Sequence, residues 1–161
     1  MTPYEELNAA VEKLLEQTSR FVPMAFHLHS PASHDWGKRL HADKARNAKS
    51  RFEGAGVKAF LDELAPQFRI ACVTDHMRVG YACELAKASL ARKDIRVFPG
   101  MEVNCIIAPA VNQRLHLLVV FPPGKDAASI ERIFAGAKGM PSDNDRTGQE
   151  EFNALPVTNS T

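Results

Sequence analysis

Hydrophobic and polar positions along the chain change period several times, and each change marks an element. Between residues 3 and 19, Tyr4, Leu7, Val11, Leu14, Leu15 and Thr18 recur at helical spacing, which predicts a leading amphipathic helix over residues 1–20. Thr2 followed by Pro3 suits its start, and Phe21-Val22-Pro23 ends it. "MAFHLH" then alternates with period two and predicts a short strand that carries His27 and His29 on one face. Residues 30 to 55 show little periodicity and read as a long loop with a short helix near Leu40 to Arg51. Val57, Phe60, Leu61 and Leu64 form one stripe on a helix over 56–65, which Pro66 stops. "RIACVTDH" is a continuous apolar run with a polar end, the pattern of a parallel strand buried on both faces.

Further along, "GYACELAKASLARK" predicts a helix over 80–93 with cations in its last turn, where the helix dipole favours them. "IRVFPGMEVNCII" reads as one strand region broken at Pro99-Gly100, and "LHLLVVF" as another strand stopped by Pro122-Pro123-Gly124. Asp126 or Ser129 caps a last helix, "AASIERIFAG", with Gly136 behind it. Residues 137–161 are polar and turn-rich, with a weak strand at Leu155 to Thr158. Strands separated by helical segments predict an α/β fold with a largely parallel sheet. No internal repeat is visible.

Composition changes this picture little. The 161 residues make one domain or part of one, 45% hydrophobic and 24% charged, and a net charge of +1 points to no particular partner. No apolar run approaches a membrane span, and the N-terminus lacks the apolar core of a signal peptide. Cys72, Cys83 and Cys105 form no CxxC and cannot all pair, so reduced thiols in a cytoplasmic protein with no membrane partner are expected.

The candidate chemistry is concentrated. "FHLHSPASHDWG", residues 26–37, holds three of the six histidines and an aspartate. Five polar groups fall at predicted strand ends: His27 and His29 on the first, His76 ending the second, Glu102 after the Pro-Gly pair, and His116 opening the fourth. Functional groups of α/β proteins gather at the carboxyl ends of strands. Imidazole and carboxylate are natural ligands for zinc, manganese or iron. Each feature alone has an ordinary explanation: a half-exposed strand face, a cap and turn at Thr74-Asp75-His76, a core histidine at His116. Their joint order and placement favour a metal site.

"FHLHS…SHDWG", "VTDH", "FPGMEV" and "LHLLVVF", in that order, resemble the first four motifs of the PHP family, the polymerase and histidinol phosphatase superfamily. The resemblance covers about residues 24 to 135, and the fuller run is particularly similar to PHP domains that precede an ATPase region. It implies a distorted (β/α)7 TIM-like barrel with two or three divalent ions, Zn, Mn or Fe, at its C-terminal face. His27 and His29 would bind one ion, and Glu102 would bridge it to a second that His116 helps to hold. Asp35 and His76 would contribute to a third, with His34 competing with Asp35 for that role. Asp75 would orient a loop or a ligand ring. Ala25 stands where the family often has an acidic residue, and no histidine follows His116. A closed barrel takes about 250 residues, so residues 21–136 are expected to be the N-terminal half of a PHP domain, incomplete in this chain. Its open strands would invite self-association unless something covers them.

The implied activity is hydrolysis of phosphate monoesters or diesters, with metal-bound water as nucleophile and no catalytic side chain, and this chain is expected to be a truncated, weakly active or inactive portion by itself. No Ser or Cys stands beside a convincing base. "KRLHADKARNAKSR", residues 38–51, carries six Lys or Arg against one Asp, so Lys38 and Arg39, together with Arg78, are candidates for a substrate phosphate or a nucleic-acid backbone. The rival expectation is a non-catalytic docking or structural module of a larger protein with an ATPase domain.

Overall fold

The apolar runs pair in the order in which they occur. The computed structural model describes residues 5, 6, 9, 13, 22–38, 42–108, 113–134 and 152–153. Strands β1 (Met24–Leu28), β2 (Ile70–His76) and β3 (Arg96–Ala108) lie side by side and parallel, and β4 (Gln113–Val120) joins β3 antiparallel. The result is a mixed α/β arrangement around a curled sheet. A two-residue strand, β5 (Phe152–Asn153), runs parallel to β3 at Cys105 and Ile106. Helices α1 (Ala42–Leu64) and α2 (Gly80–Ser89) make the two parallel crossovers, and α3 (Ala127–Phe134) follows β4.

Burial explains the pattern of β2. Every residue from Ala71 to His76 is buried, because helices cover one side and neighbouring strands flank both edges. Ala71, Val73 and Val97 of the sheet pack with Phe60, Leu61 and Leu64 of α1 and Ala82, Leu85 and Ala86 of α2. A second cluster joins Met101, Val103 and Cys105 of β3 to Ile130 of α3 and to Phe121. All three cysteines are free and buried. No helix among the described residues is long and apolar enough to cross a membrane.

Several expectations change. The sheet is largely parallel, as expected, but among the described strands β4 pairs antiparallel. The short link at residues 109–112 leaves no room for a crossover, so β4 has to return antiparallel. The break expected at Pro99-Gly100 is absent: β3 runs through it, and the Pro99 carbonyl accepts a hydrogen bond from the Phe121 N–H at 2.8 Å. Gly100 serves close approach instead. A Cβ there would stand 2.6 Å from Thr74 Cγ2 and 2.8 Å from the Val119 carbonyl oxygen.

The short helix expected near residues 40–51 is present but does not stop there: it runs from Ala42 into the helix expected over 56–65, since Ala, Lys and Arg favour helix even without an apolar stripe. Gly56, at φ +70°, interrupts that helix with a conformation L side chains rarely adopt, so two helical segments meet there. Helix α2 is shorter than expected and ends at Ser89. Asp126 rather than Ser129 caps α3: its Oδ1 accepts the Ser129 N–H at 2.8 Å and its Oδ2 the Ser129 hydroxyl at 2.8 Å. Glu5, Glu6, Ala9 and Lys13 are helical and exposed, and they lie off the apolar stripe expected over residues 3–19. That stripe, Arg39 and the weak strand at 155–158 lie outside the described residues.

Gly100→Ala should destabilise the fold by about 1–3 kcal/mol, the usual range for an overpacked core position. Urea unfolding followed by circular dichroism measures it, and an unchanged midpoint would show that the close approach of β2, β3 and β4 is relaxed elsewhere.

Candidate metal centre

Strand register assembles the site. His76 ends β2 directly opposite Glu102 of β3, and Asn104 pairs with His116 of β4, which brings His116 to the same face as Glu102. Met77, at φ +53°, turns the chain away immediately after His76, and its N–H donates to the Glu102 carbonyl at 2.9 Å. On the other side, an irregularity in the β1–β2 pairing lies between Ala25 and Leu28, and His27 and His29 leave that strand end facing β2 and β3.

Glu102 is the meeting point. Its side chain is 5% exposed, and its Oε2 lies 2.9 Å from His29 Nε2, 3.3 Å from His27 Nε2 and 3.5 Å from His76 Nδ1. Its Oε1 contacts His116 Nδ1 in a short hydrogen bond. Three overlapping triads result: His27, His29 and Glu102; His29, Asp35 and His76; His76, Glu102 and His116. In each, candidate ligand atoms lie within 4.8 Å of one another. Atoms about 2.0–2.2 Å from one ion stand about 3.0–3.5 Å apart at angles near 90–110°, so the contacts around Glu102 have the span an ion requires. The buried His76 Nδ1 has no hydrogen-bond partner. A buried ring nitrogen left without a hydrogen-bond partner in an imidazole-rich site suits a cation. The donor set therefore fits a divalent metal.

The outer nitrogens are held as well. Thr74 Oγ1 lies 2.7 Å from His27 Nδ1, and Asp35 Oδ1 lies 2.8 Å from His29 Nδ1. Asp35 Oδ2 faces His76 Nε2 at 3.4 Å. The Ser33 hydroxyl donates to Asp35 Oδ1 at 2.6 Å. The segment carrying these residues is a chain of turns: Ser33 N–H donates to the Ser30 carbonyl, Trp36 N–H to that of Ser33, and Lys38 N–H to that of Asp35. Trp36 anchors it, with its ring 6.0 Å from Phe52 and 5.9 Å from Phe60 of α1.

Electrostatics differ among the carboxylates. Burial works against ionisation of Asp35, but hydrogen bonds from Ser33 and His29 outweigh it and hold its carboxyl well below the usual range. Asp75 is pushed up to about 6 by burial, against the pull of the Ser30 N–H and hydroxyl, which donate to its Oδ1 and Oδ2 at 2.5 Å each. Burial also lowers His27, opposed by Glu102 and assisted by His29 and His76. His34 is lowered by burial and then by the charge of Lys38.

All six residues expected as ligands, His27, His29, Asp35, His76, Glu102 and His116, thus meet in one place. Asp75 takes the loop-holding role, binding Ser30 at the exit of β1. The His34 ring lies 4.8 Å from that of His76, tilted 56° to it, but belongs to none of the triads. Lys38 is exposed at the end of the turn segment, close enough to influence His34, and Arg78 is partly buried two residues beyond His76. Arg39 lies outside the described residues. Ser30, Ser33 and Thr74 were not singled out from the sequence, although small hydroxyl residues within one to four positions of the histidines were a usable signal. Comparisons with family models, with curated proteins and with solved structures find no match to this chain.

The raised pKa of Asp75 has a defined consequence for stability. The folded chain holds this proton more tightly than the unfolded chain, so its contribution is complete below about pH 4 and is lost as pH rises through about 6. Asp75→Asn should keep the fold and flatten that part of the profile, with a difference on the order of 2–3 kcal/mol between pH 4 and 7. Urea unfolding of both chains with a chelator present checks it; parallel profiles would mean that Asp75 is ionised throughout.

Proposed function

We propose that this chain is part of a metal-dependent phosphoesterase of the PHP type, hydrolysing phosphate mono- or diesters, with nucleic acid among the candidate substrates. The observation that carries the reading is Glu102: a buried carboxylate shared by four imidazoles drawn from β1 and its exit, β2 and β4. His27, His29, Glu102 and His116, with His76 and Asp35, would hold two or three ions of zinc, manganese or iron. Parallel β1–α1–β2–α2–β3 connectivity suits the opening of a distorted (β/α)7 barrel, and the exposed apolar side chains of β1 and β4 suit strands that pair further in the complete fold.

Divalent ions held by Glu102 and the surrounding histidines would supply an acidified water and neutralise charge on a phosphoryl group. The chain's own residues do the rest. His27 and His116 are 44% and 56% exposed, so the centre opens to solvent on both flanks of Glu102 and admits a substrate. Lys38 and Arg78 lie at this same end of the sheet and would draw in and orient an anionic ester. Ser30 and Ser33 donate their hydroxyl protons to Asp75 and Asp35, carboxylates that are engaged in holding loops and rings. Both serines are buried, which keeps a substrate from their hydroxyls and favours a water-based route.

Hydrolysis of p-nitrophenyl phosphate or bis-p-nitrophenyl phosphate with Mn2+ or Zn2+, by this chain and by the longer protein that the reading implies, tests it. Activity should disappear with chelator and fall about 100-fold or more in His27→Ala and Glu102→Gln, the upper end of what perturbing a metal site costs, with circular dichroism unchanged. Hydrolysis that survives chelation, or a Glu102→Gln chain as active as the parent, would overturn it. Full retention of a binding function in both variants would point to a docking module instead.

A further inference from the structure

Charge is segregated along α1 in a way that the helix itself disfavours. Between residues 38 and 51 the chain carries six Lys or Arg and one acid, Asp43. From Glu53 to Leu64 it carries three acids, Glu53, Asp62 and Glu63, against Lys58 alone. The helix dipole favours acids in the first turn and cations in the last. Here Lys44 and Arg46 follow Asp43 at the start, Asp62 and Glu63 stand at the end, and no basic residue occupies the last turn. Helix stability therefore gives no reason for this distribution.

The basic segment is tied at both ends to the turns that carry Asp35. Lys38 closes those turns, its N–H donating to the Asp35 carbonyl at 3.0 Å. At the other end Phe52 packs on Trp36 of the same turns and on Phe60, with ring centroids 6.0 and 5.2 Å away. Arg51 reaches Glu63, 12 residues on, at 2.8 Å. A straight helix would set residues that far apart at about 18 Å, so the ion pair exists because α1 bends at Gly56. The bend and the Trp36 contact keep the basic segment beside the candidate metal centre.

Within the segment the cations have different surroundings. Arg51 is engaged by Glu63 and by the Phe52 ring at 5.1 Å, and Lys49 pairs with Glu53 at 3.6 Å. Lys38, Lys44 and Arg46 are exposed and make no ion pair with a described residue. Asn47 and Ser50, exposed among the cations, are polar. Phe52, Phe60, Leu61 and Leu64 are buried, so α1 has no free apolar face with which to enter a membrane surface. Trp36 packs against α1, which leaves the segment no aromatic platform for stacked bases. What it offers is positive charge, spread over a turn and the opening turns of a helix. A lone phosphate cannot meet all of it, but a backbone with a charge at every nucleotide can.

We propose that residues 38–51 form a docking ridge for the sugar–phosphate backbone of a nucleic-acid strand, with Lys38, Lys44 and Arg46 as phosphate contacts and no readout of bases. The ridge names a polynucleotide as the substrate class of the adjoining centre, and that part rests on the phosphoesterase reading above. Docking itself requires no metal, so the two can fail separately.

Anisotropy of a labelled single-stranded oligonucleotide, followed with chelator present across a series of salt concentrations, tests this. The chains compared are the parent, Lys44→Gln/Arg46→Gln and Lys87→Gln/Lys125→Gln, the last removing equal charge from exposed positions on α2 and after β4. Binding by the parent should weaken with salt. In Lys44→Gln/Arg46→Gln the slope of log affinity against log salt should be smaller by about 1.4, the share of two single-strand phosphate contacts. The control pair should bind as the parent does, and oligonucleotides of different sequence should bind alike. No binding by the parent, an equal loss in both double variants, or binding to vesicles of anionic phospholipid in place of the oligonucleotide would overturn the proposal. The expected binding pattern without cleavage, by this chain or by the longer protein, once Mn2+ replaces the chelator would uphold the ridge and sink the phosphoesterase reading.

Discussion

A carboxylate removed from water must be matched by charge or by donors, and Glu102 imposes that demand at the centre of this sheet. Burying an unmatched carboxylate is costly enough that a chain neutralises it or surrounds it. Here imidazoles from β1 and its exit, from β2 and from β4 converge on its two oxygens. Each has to arrive on the right face, and a slip of one residue in any strand would turn its side chains to the opposite face. The register of the sheet and the composition of the site are thus one constraint expressed twice.

Around that point the polar groups are arranged in layers. Thr74 and Asp35 occupy the outer nitrogens of the histidines, and Ser33 and Ser30 donate to Asp35 and Asp75. Asp75 is buried, and its two hydrogen bonds fix the exit of β1 where His29 leaves the strand. The turn segment is pinned at its far end by packing, through Trp36 against Phe52 and Phe60. Hydrophobic contacts between α1 and this loop consequently bear on the orientation of a histidine ring several residues away. Gly100 contributes through its missing side chain, because the approach of Thr74 to β3 sets where His27 finds its hydroxyl partner.

At the sheet edges the balance is different. Phe26 is 65% exposed on β1, and Leu115, Leu117 and Leu118 of β4 are each more than a third exposed. Charged side chains usually protect an open strand, but no Lys, Arg, Asp or Glu occurs along β1 and only Arg114 along β4. The apolar continuity of "LHLLVVF", legible as a strand, is legible also as a strand built to be covered on more sides than the described residues cover.

Much of this was determined locally. The alternation in "MAFHLH", the unbroken apolar run of "RIACVTDH" and the stripe at Val57, Phe60, Leu61 and Leu64 each specify an element through the periods of strand and helix. The grouping of histidines and acids at strand ends marks the candidate site, because polar groups at those places have little reason to be there except chemistry. Tertiary structure decided what periodicity does not encode. It made β4 antiparallel through the shortness of the link before it, and it kept β3 continuous through Pro99-Gly100 because close packing, not a turn, called for glycine. It also selected Asp35 over its neighbour His34 as the group that meets His29 and His76, a choice that depends on where one turn segment lands against α1. Sequence fixes which donors are available within a few residues of one another; only the assembled sheet fixes which nitrogen of each ring faces Glu102, since that is a matter of distances between elements far apart in the chain.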